Sequence, residues 1–331
     1  MTPSRLTDDG AVQDTANDAV QSKASAAALN YFHDPYVQLM CKRAPRRAPL
    51  INRGYYTRVA VIRDLARDFV RQCRQDQVQC QIISLGGGFD TLLFTLRDED
   101  LAPDVYIEID HAEVIQRKHR MLQTIPVLSN AVGGTMTRTD SAVISVSSQY
   151  YLLSADLRDI PALDAKLDQI PLNCQHRTLF LSECVLVYMQ ASQADAILKW
   201  ARNRFDASSV FVLYEQILPD DPFGQTMCNN LQKRGCPLLS IHAHPTLEAQ
   251  QQRFLDAEWA RAHALDMNVI YERVIDRTDI GRIEKLELFD EFEEWHLIQA
   301  HYCVAVAISS MNNFTSGIFA KFSAFAWPMK S

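Results

Sequence analysis

Three consecutive glycines are the residues in this sequence whose type and spacing point most directly to chemistry. Gly86, Gly87 and Gly88 follow a short apolar run at 80–85 and precede an apolar helical pattern. Glycines at a junction between strand and helix let the backbone turn sharply and approach a ligand closely. In doubly wound α/β folds, ligands bind beside such a turn at the carboxyl ends of the strands. The turn therefore indicates a bound cofactor, without saying which one.

The residues after the turn narrow the choice of cofactor. Thr91 stands where the dinucleotide fingerprint requires glycine or alanine. Asp90 places a negative charge at the helix terminus that would otherwise receive a pyrophosphate. Both features disfavour an NAD-dependent oxidoreductase and favour a cofactor without phosphates.

Acidic residues at the ends of the next predicted strands supply the polar contacts that such a cofactor needs. Asp110 suits hydrogen bonding to ribose hydroxyls, or it caps the helix that follows. Asp156 could bond an adenine amino group while Leu157 covers the ring. Glu183 lies in an apolar run, where an unpaired charge is costly, so it meets either a cationic ligand group or an arginine. With the glycine turn, these residues indicate S-adenosylmethionine.

Short apolar runs alternate with amphipathic segments from residue 80 onward, which predicts βαβ units and a parallel sheet. The predicted strands are 80–85, 105–110, 150–156, 178–186, 209–216 and 301–308, with helices between them. A helix at 245–263 and a strand at 266–274 are also predicted, and a helical pattern spans 54–72. Residues 1–22 are expected to be disordered and 130–148 to form a flexible insertion. The apolar tail at 310–331 packs on the body or meets a partner.

Composition limits the class of protein. The 331 residues carry a net charge of -7, which argues against a nucleic-acid partner. A basic run at 42–47 (KRAPRR) is the exception: it is a solvated face or a basic lid edge that attracts an anionic tail. The eight cysteines form no CxxC pair, so no metal site is expected. With no signal peptide and no apolar stretch of about 18 residues, we expect a cytoplasmic monomer that binds neither membrane nor nucleic acid.

The sequence resembles the leucine carboxyl methyltransferase family, whose members methylate the C-terminal leucine carboxylate of the protein phosphatase 2A catalytic subunit. The resemblance runs in order over residues 23–308, while 130–148 and 310–331 match no part of the family pattern. The matching segments are 31–36 (YFHDPY), 48–55 (APLINRGY), 85–91 (LGGGFDT), 98–101 (DEDL), 155–159 (ADLRD), 182–189 (SECVLVYM), 214–216 (YEQ), 223–227 (FGQTM) and 301–303 (HYC).

The resemblance implies a fold and a set of binding residues. The implied fold is a Rossmann-like class I S-adenosylmethionine-dependent methyltransferase, with a seven-stranded, mostly parallel sheet. One domain at 23–309 would include a helical lid at 23–75, followed by an extension at 310–331. The family's cofactor contacts fall on Lys23 and Arg58 for the carboxylate, Gly86 under the methionine part, Asp110 at the ribose, Asp156 and Leu157 at the adenine, and Glu183 at the ammonium group.

The resemblance also implies the substrate and the partner, the phosphatase 2A catalytic subunit. Tyr188, just after the fourth predicted strand, lies where the substrate carboxylate would arrive; it lines the pocket or packs in the core. A relative acting on a small metabolite or on modified transfer RNA stays open, although the transfer-RNA relatives carry a long extra downstream domain that this chain is too short to hold. A phosphatase-binding module without catalysis is disfavoured by the complete set of cofactor residues.

Overall fold

Strands and helices alternate along most of the chain. The computed structural model describes residues 9–133, 137–138, 142–205, 208–310, 314 and 316–325. The strands are β1 Cys80–Leu85, β2 Val105–Asp110, β3 Thr137–Arg138, β4 Val143–Ser145, β5 Tyr150–Ser154, β6 Arg177–Glu183, β7 Ser209–Gln216, β8 Arg261–Asp266 and β9 Tyr302–Ile308. The helices are α1 Asp9–Ala28, α2 Pro49–Gln75, α3 Leu92–Asp98, α4 Ala112–Thr124, α5 Pro126–Val132, α6 Ile160–Leu167, α7 Ala191–Arg204, α8 Pro222–Lys233, α9 Leu247–Asp256, α10 Met267–Val269, α11 Arg277–Ile283, α12 Phe292–Ala300 and α13 Gly317–Phe325. None of the helices in these ranges is long and apolar enough to cross a bilayer.

The strands form one sheet in the order β3-β4-β5-β2-β1-β6-β7-β9-β8. Strands β5, β2, β1, β6 and β7 run parallel, and β9 lies antiparallel between β7 and β8. The mostly parallel α/β fold is confirmed, but the described residues contain nine strands rather than the expected seven. The two extra strands, β3 and β4, come from the insertion at 130–148 and pair antiparallel at the edge of β5. Strands of two or three residues leave no readable periodicity in a sequence.

The sheet carries an apolar core on each face, because neighbouring residues of a strand point to opposite sides. Ile82 belongs to the apolar cluster that includes side chains of α2, α3 and α4, whereas Ile83 belongs to the cluster that includes those of α6, α7 and α9. The chain order reverses at β1, which lies between β2 and β6. Such a switch point opens a crevice at the carboxyl ends of the strands, and the glycine turn lies there.

The expected disorder of residues 1–22 is wrong from Asp9 onward, because α1 begins there; residues 1–8 lie outside the described part. Alanine, which favours helix, is frequent in this segment. The residues that α1 buries are mostly small, including Ala24 and Ser25. They form no large apolar stripe, so the sequence lacks the amphipathic signal of a packed helix.

In residues 245–274, the strand lies closer to the N-terminus than predicted. The predicted helix at 245–263 ends at Asp256, strand β8 occupies 261–266, and the predicted strand at 266–274 is helical. Strand β8 has the sequence RAHALD, without a β-branched or aromatic residue, so its β propensity is low. Asp266 accepts a hydrogen bond from the Val269 N–H and starts helical turns in a segment that is rich in strand-forming residues.

The C-terminal extension packs on the body within its described residues. The Phe314 ring stacks on Phe69 of α2 with centroids 5.4 Å apart, and Phe319 and Phe322 are buried. The Ile318 N–H donates to Asp68 at 2.8 Å. Of the two alternatives for the tail, packing is therefore confirmed for these residues; 326–331 lie outside the described part.

Candidate functional site

A cavity of about 360 Å³ opens at the carboxyl ends of β1, β2 and β6. Its volume lies in the range of about 300–1,000 Å³ that is typical of small-molecule sites. Every candidate site residue lines it, although these residues come from seven separate elements and loops. They are Lys23, Arg58, Gly86, Asp110, Asp156, Leu157, Glu183 and Tyr188.

The glycine turn has the backbone that the sequence predicts. Gly86 and Gly88 have φ angles of +64° and +54°, in the left-handed region that favours glycine. A Cβ on Gly86 would lie 2.4 Å from Cγ2 of Val185, in the loop after β6. The Gly86 N–H donates to the Ile109 carbonyl at 2.8 Å. The turn is thus held against two neighbouring strands with no room for a side chain.

Four charged residues meet on one wall of the cavity. Lys23 Nζ lies 2.8 Å from Asp90 Oδ1 and 3.3 Å from Glu183 Oε2. Arg58 Nε donates to the same Glu183 oxygen at 2.7 Å. Burial works against the charge on Lys23, but the two carboxylates outweigh it and raise the lysine pKa. The pKa of Asp90 is lowered: burial opposes its ionisation, and the attraction of Lys23 prevails.

This cluster keeps hydrogen-bonding capacity to spare. Glu183 pairs with an arginine, which is one of the two alternatives predicted for it from the sequence. Its contacts with Lys23 and Arg58 both use the Oε2 atom. Within the described ranges, Glu183 Oε1 and the two terminal nitrogens of Arg58 make no hydrogen bond. An acceptor and two donors are therefore available on the cavity wall.

Two tyrosines that the sequence reasoning did not single out complete this wall. The Arg58 guanidinium carbon lies 4.6 Å from the centroid of the Tyr214 ring, and Tyr214 stacks on Tyr302 at 5.4 Å. Burial raises the pKa of both phenols, so both stay neutral. Their signal in the sequence was their place in the matching segments 214–216 and 301–303.

Asp110 accepts a hydrogen bond on each oxygen. The Gly88 N–H donates to Oδ2 and the His111 N–H to Oδ1, each at 2.7 Å. The helix-capping alternative is not observed, because His111 is the N-cap of α4. Burial raises the pKa of Asp110, while the two N–H groups act against that rise. Each oxygen retains a lone pair for a further donor.

Asp156 and Leu157 lie just beyond the end of β5 and line the same cavity. Burial opposes ionisation of Asp156, but hydrogen bonds from the Arg158 side chain and backbone outweigh it and lower its pKa. Arg158 Nη1 also lies 3.2 Å from Asp9 Oδ1. Leu157 is buried and supplies an apolar wall.

Helix α1 forms one side of the cavity, which the sequence reasoning missed because it assigned this segment to disorder. Residues of α1 from Asp9 to Lys23 line the space. Polar contacts hold the helix: Asp9 pairs with Arg158, Asp18 pairs with Arg234, and Asn17 Oδ1 accepts from Arg117 at 2.6 Å. Such half-exposed pairs contribute only about 0–1 kcal/mol each.

Tyr188 both lines the cavity and packs in an apolar cluster with Leu238 and Ile241. Burial raises its pKa, so its hydroxyl stays neutral. The preceding Val187 N–H donates to Glu215 Oε1 at 2.7 Å, and Arg253 Nη1 donates to Glu215 Oε2 at 3.2 Å. A buried ion pair therefore holds the loop that carries Tyr188.

The sequence model of a family described as leucine carboxyl methyltransferase matches residues 4–202. A protein named leucine carboxyl methyltransferase 1 homolog from Arabidopsis thaliana is 44% identical over 312 residues, covering 94% of this chain and 92% of the relative. Leucine carboxyl methyltransferase 1 from Bos taurus is 39% identical, covering 91% and 90%. A protein named tRNA wybutosine-synthesizing protein 4 from Homo sapiens is 40% identical; the match covers 90% of this chain and 44% of that protein.

Solved structures share the fold at much lower identity. A DUF574 family protein from Streptomyces avermitilis aligns with a TM-score of 0.52 at 14% identity, covering 90% of this chain and all of that one. A structure described as a putative methyltransferase from Thermobifida fusca aligns with a TM-score of 0.50 at 13% identity, covering 82% and 92%. At these identities the likeness concerns the fold alone.

Proposed function

The chain belongs to the leucine carboxyl methyltransferase family, and from that premise we propose that it methylates the C-terminal leucine carboxylate of the protein phosphatase 2A catalytic subunit, with S-adenosylmethionine as methyl donor. One observation carries the proposal: all eight residues that the family pattern and the strand ends select surround a single cavity. They come from segments up to 165 positions apart, Lys23 to Tyr188.

The donors and acceptors of the cavity fit S-adenosylmethionine. The free Glu183 oxygen suits an ammonium group, and the terminal nitrogens of Arg58 suit a carboxylate. Asp110 has lone pairs for ribose hydroxyls, and Leu157 offers an apolar surface for the adenine. Arg158 donates to both oxygens of Asp156, so Asp156 would accept from the adenine amino group in exchange for one of these bonds. The Val185 side chain fills the space that a Cβ on Gly86 would take, so only glycine keeps the turn in its place beside the cavity.

Positioning is the main task that this chemistry leaves to the protein. When bound, S-adenosylmethionine supplies a methyl group that a carboxylate oxygen can accept directly. A C-terminal carboxyl has a pKa of about 3.3–3.7, so it is ionised at neutral pH and no side chain need remove a proton. Holding two reactants in the correct orientation can lower the activation free energy by about 7–11 kcal/mol. Helix α1 and the neutral Tyr188 line the space in which the two reactants would be positioned.

A carboxylate on transfer RNA is the second candidate substrate, because the human wybutosine-synthesizing relative is as similar to this chain as the bovine carboxyl methyltransferase. Charge favours the protein substrate. The chain carries a net charge of -7, and helix α12, which reaches the cavity through Ile298, begins with exposed acidic residues. Acidic surface repels phosphate backbones.

Methyl transfer from labelled S-adenosylmethionine tests these proposals. The chain is incubated with the phosphatase 2A catalytic subunit, with the same subunit lacking its terminal leucine, and with transfer RNA carrying a carboxylate precursor. We expect base-labile label on the intact subunit alone, because a methyl ester is hydrolysed by base. Label on the RNA would select the second candidate. Absence of transfer to any substrate, with cofactor binding intact by calorimetry, would indicate a binding module without catalysis.

A further inference from the structure

Exposed apolar side chains concentrate in one short segment. In the described part of the chain, five large hydrophobic side chains are exposed, and three of them lie within ten residues. Leu288 is 91% exposed, Phe292 50% and Leu297 45%. Single exposed apolar residues are ordinary, so the concentration of three within ten residues is the feature that calls for an explanation. We call residues 288–297 the α12 surface.

The α12 surface is also acidic. Asp290, Glu291, Glu293 and Glu294 are all exposed, and none of them belongs to an ion pair within the ranges that the structure describes. Glu287, just before this surface, differs because it pairs with Arg46 at 2.7 Å. The surface therefore presents apolar side chains among uncompensated negative charges.

The α12 surface continues into the cavity along one helix. Trp295 and Gln299 are buried and anchor α12 to the body, while Phe292 and Leu297 remain exposed. Ile298, the residue after Leu297, lines the cavity. With a rise of about 1.5 Å per residue, the exposed apolar side chains begin within one helical turn of the cavity wall.

We infer that the α12 surface is the docking surface for the folded body of the protein substrate, at a region of that substrate where basic side chains surround an apolar contact. This inference rests on the proposed function. A cavity of about 360 Å³ that also holds the cofactor has room for only the end of a substrate chain. The rest of the substrate must contact the rim, where a central apolar contact supplies affinity and complementary charge guides association.

A triple variant, Leu288→Ser with Phe292→Ser and Leu297→Ser, tests the apolar part. With the phosphatase 2A catalytic subunit as substrate, we expect its KM to rise at least tenfold. Its kcat at saturation and the Kd for S-adenosylmethionine should stay within twofold, because Trp295 and Gln299 are untouched. The matched control is Val78→Ser with Val127→Ser, the other two large apolar side chains that are exposed in the described part of the chain. An unchanged KM, an equal effect in the control, or an equal loss of cofactor affinity would overturn the inference.

A second variant tests the charge. Changing Asp290, Glu291, Glu293 and Glu294 to their amides should raise the KM for the phosphatase subunit and flatten the fall of kcat/KM with salt, because exposed charges are screened over about 8–10 Å. An unchanged salt dependence would refute the charge complementarity. If the unmodified chain transferred no methyl group to the phosphatase, the proposed function would fail and the docking surface with it. Transfer that both variants left unaltered would refute the docking surface alone.

Discussion

Glu183→Gln is the substitution that most directly tests the cofactor site. The side chain is 17% exposed, and Lys23 and Arg58, which it contacts, are each 11% exposed. Glutamine keeps the shape and can still accept from Arg58 Nε, but it removes the negative charge. The cluster then holds two cations against one carboxylate, Asp90.

The structure sets the size of the expected effect. A hydrogen bond to a charged group contributes about 1.5–3 kcal/mol, and about 1.4 kcal/mol corresponds to a factor of ten in affinity. Losing the ammonium contact should therefore raise the Kd for S-adenosylmethionine by about 10- to 150-fold. The excess positive charge should also cost about 1–3 kcal/mol of folding stability. This lies below the cost of breaking a fully buried pair, because the cluster borders the cavity.

Calorimetric titration with S-adenosylmethionine, together with urea denaturation, separates binding from stability. Glu287→Gln is the matched control: Glu287 has a side chain only 4% exposed and accepts from Arg46, Tyr31 and Asn52, but it does not line the cavity. It should lose stability and keep its cofactor Kd within twofold. A folded Glu183→Gln chain that bound the cofactor as tightly as the unmodified chain would refute the assignment of Glu183.

Three other substitutions give separate checks. Gly86→Ala should cost about 1–2 kcal/mol from its positive φ alone and weaken cofactor binding in calorimetry, with partial recovery when Val185→Ala relieves the 2.4 Å contact. Burial raises the pKa of Glu108 to about 7 despite its pairing with Lys118. The native state therefore binds this proton more tightly than the unfolded chain does. The free energy of unfolding should fall by about 3 kcal/mol as pH rises from about 4.5 to 7. In urea titrations, Glu108→Gln should lack this slope. Tyr188→Phe should lower kcat/KM for the phosphatase subunit and leave the cofactor Kd unchanged; unaltered turnover and substrate affinity would exclude Tyr188 from the substrate pocket.

The cavity residues that follow or end strands could be predicted from sequence because strand ends are local features. A buried strand of six residues such as β1 reads as an apolar run, and the residue that follows it must lie at the carboxyl edge of the sheet. Gly86, Asp110, Asp156 and Glu183 each follow or end such a run. Their convergence on one cavity therefore follows from a parallel sheet.

The remaining wall of the cavity could not be predicted in this way. Helix α1 contacts the body through small side chains and half-exposed ion pairs such as Asp9 with Arg158, and both partners of such a pair read as solvated when taken singly. Tyr214 and Tyr302 lie in strands that read as core, and their role depends on the antiparallel pairing of β7 with β9. Long-range pairing of this kind leaves no local pattern.

The difference between local patterns and long-range contacts also explains why the substrate is harder to predict than the cofactor. Relatives named for leucine carboxyl methylation are 44% and 39% identical to this chain and one named for wybutosine synthesis is 40% identical, so identity alone separates the two substrates only weakly. The residues that we propose to bind the cofactor would serve either reaction, whereas a protein and a transfer RNA differ most in the charge that they bring to the rim of the cavity. The acidic α12 surface favours a basic protein surface and disfavours a phosphate backbone. The basic run at 42–47, which meets the start of this surface where Arg46 pairs with Glu287, acts in the opposite direction. Under the proposed function, the carboxylates of the α12 surface, rather than the glycine turn, are therefore the feature through which we expect this chain to select its substrate.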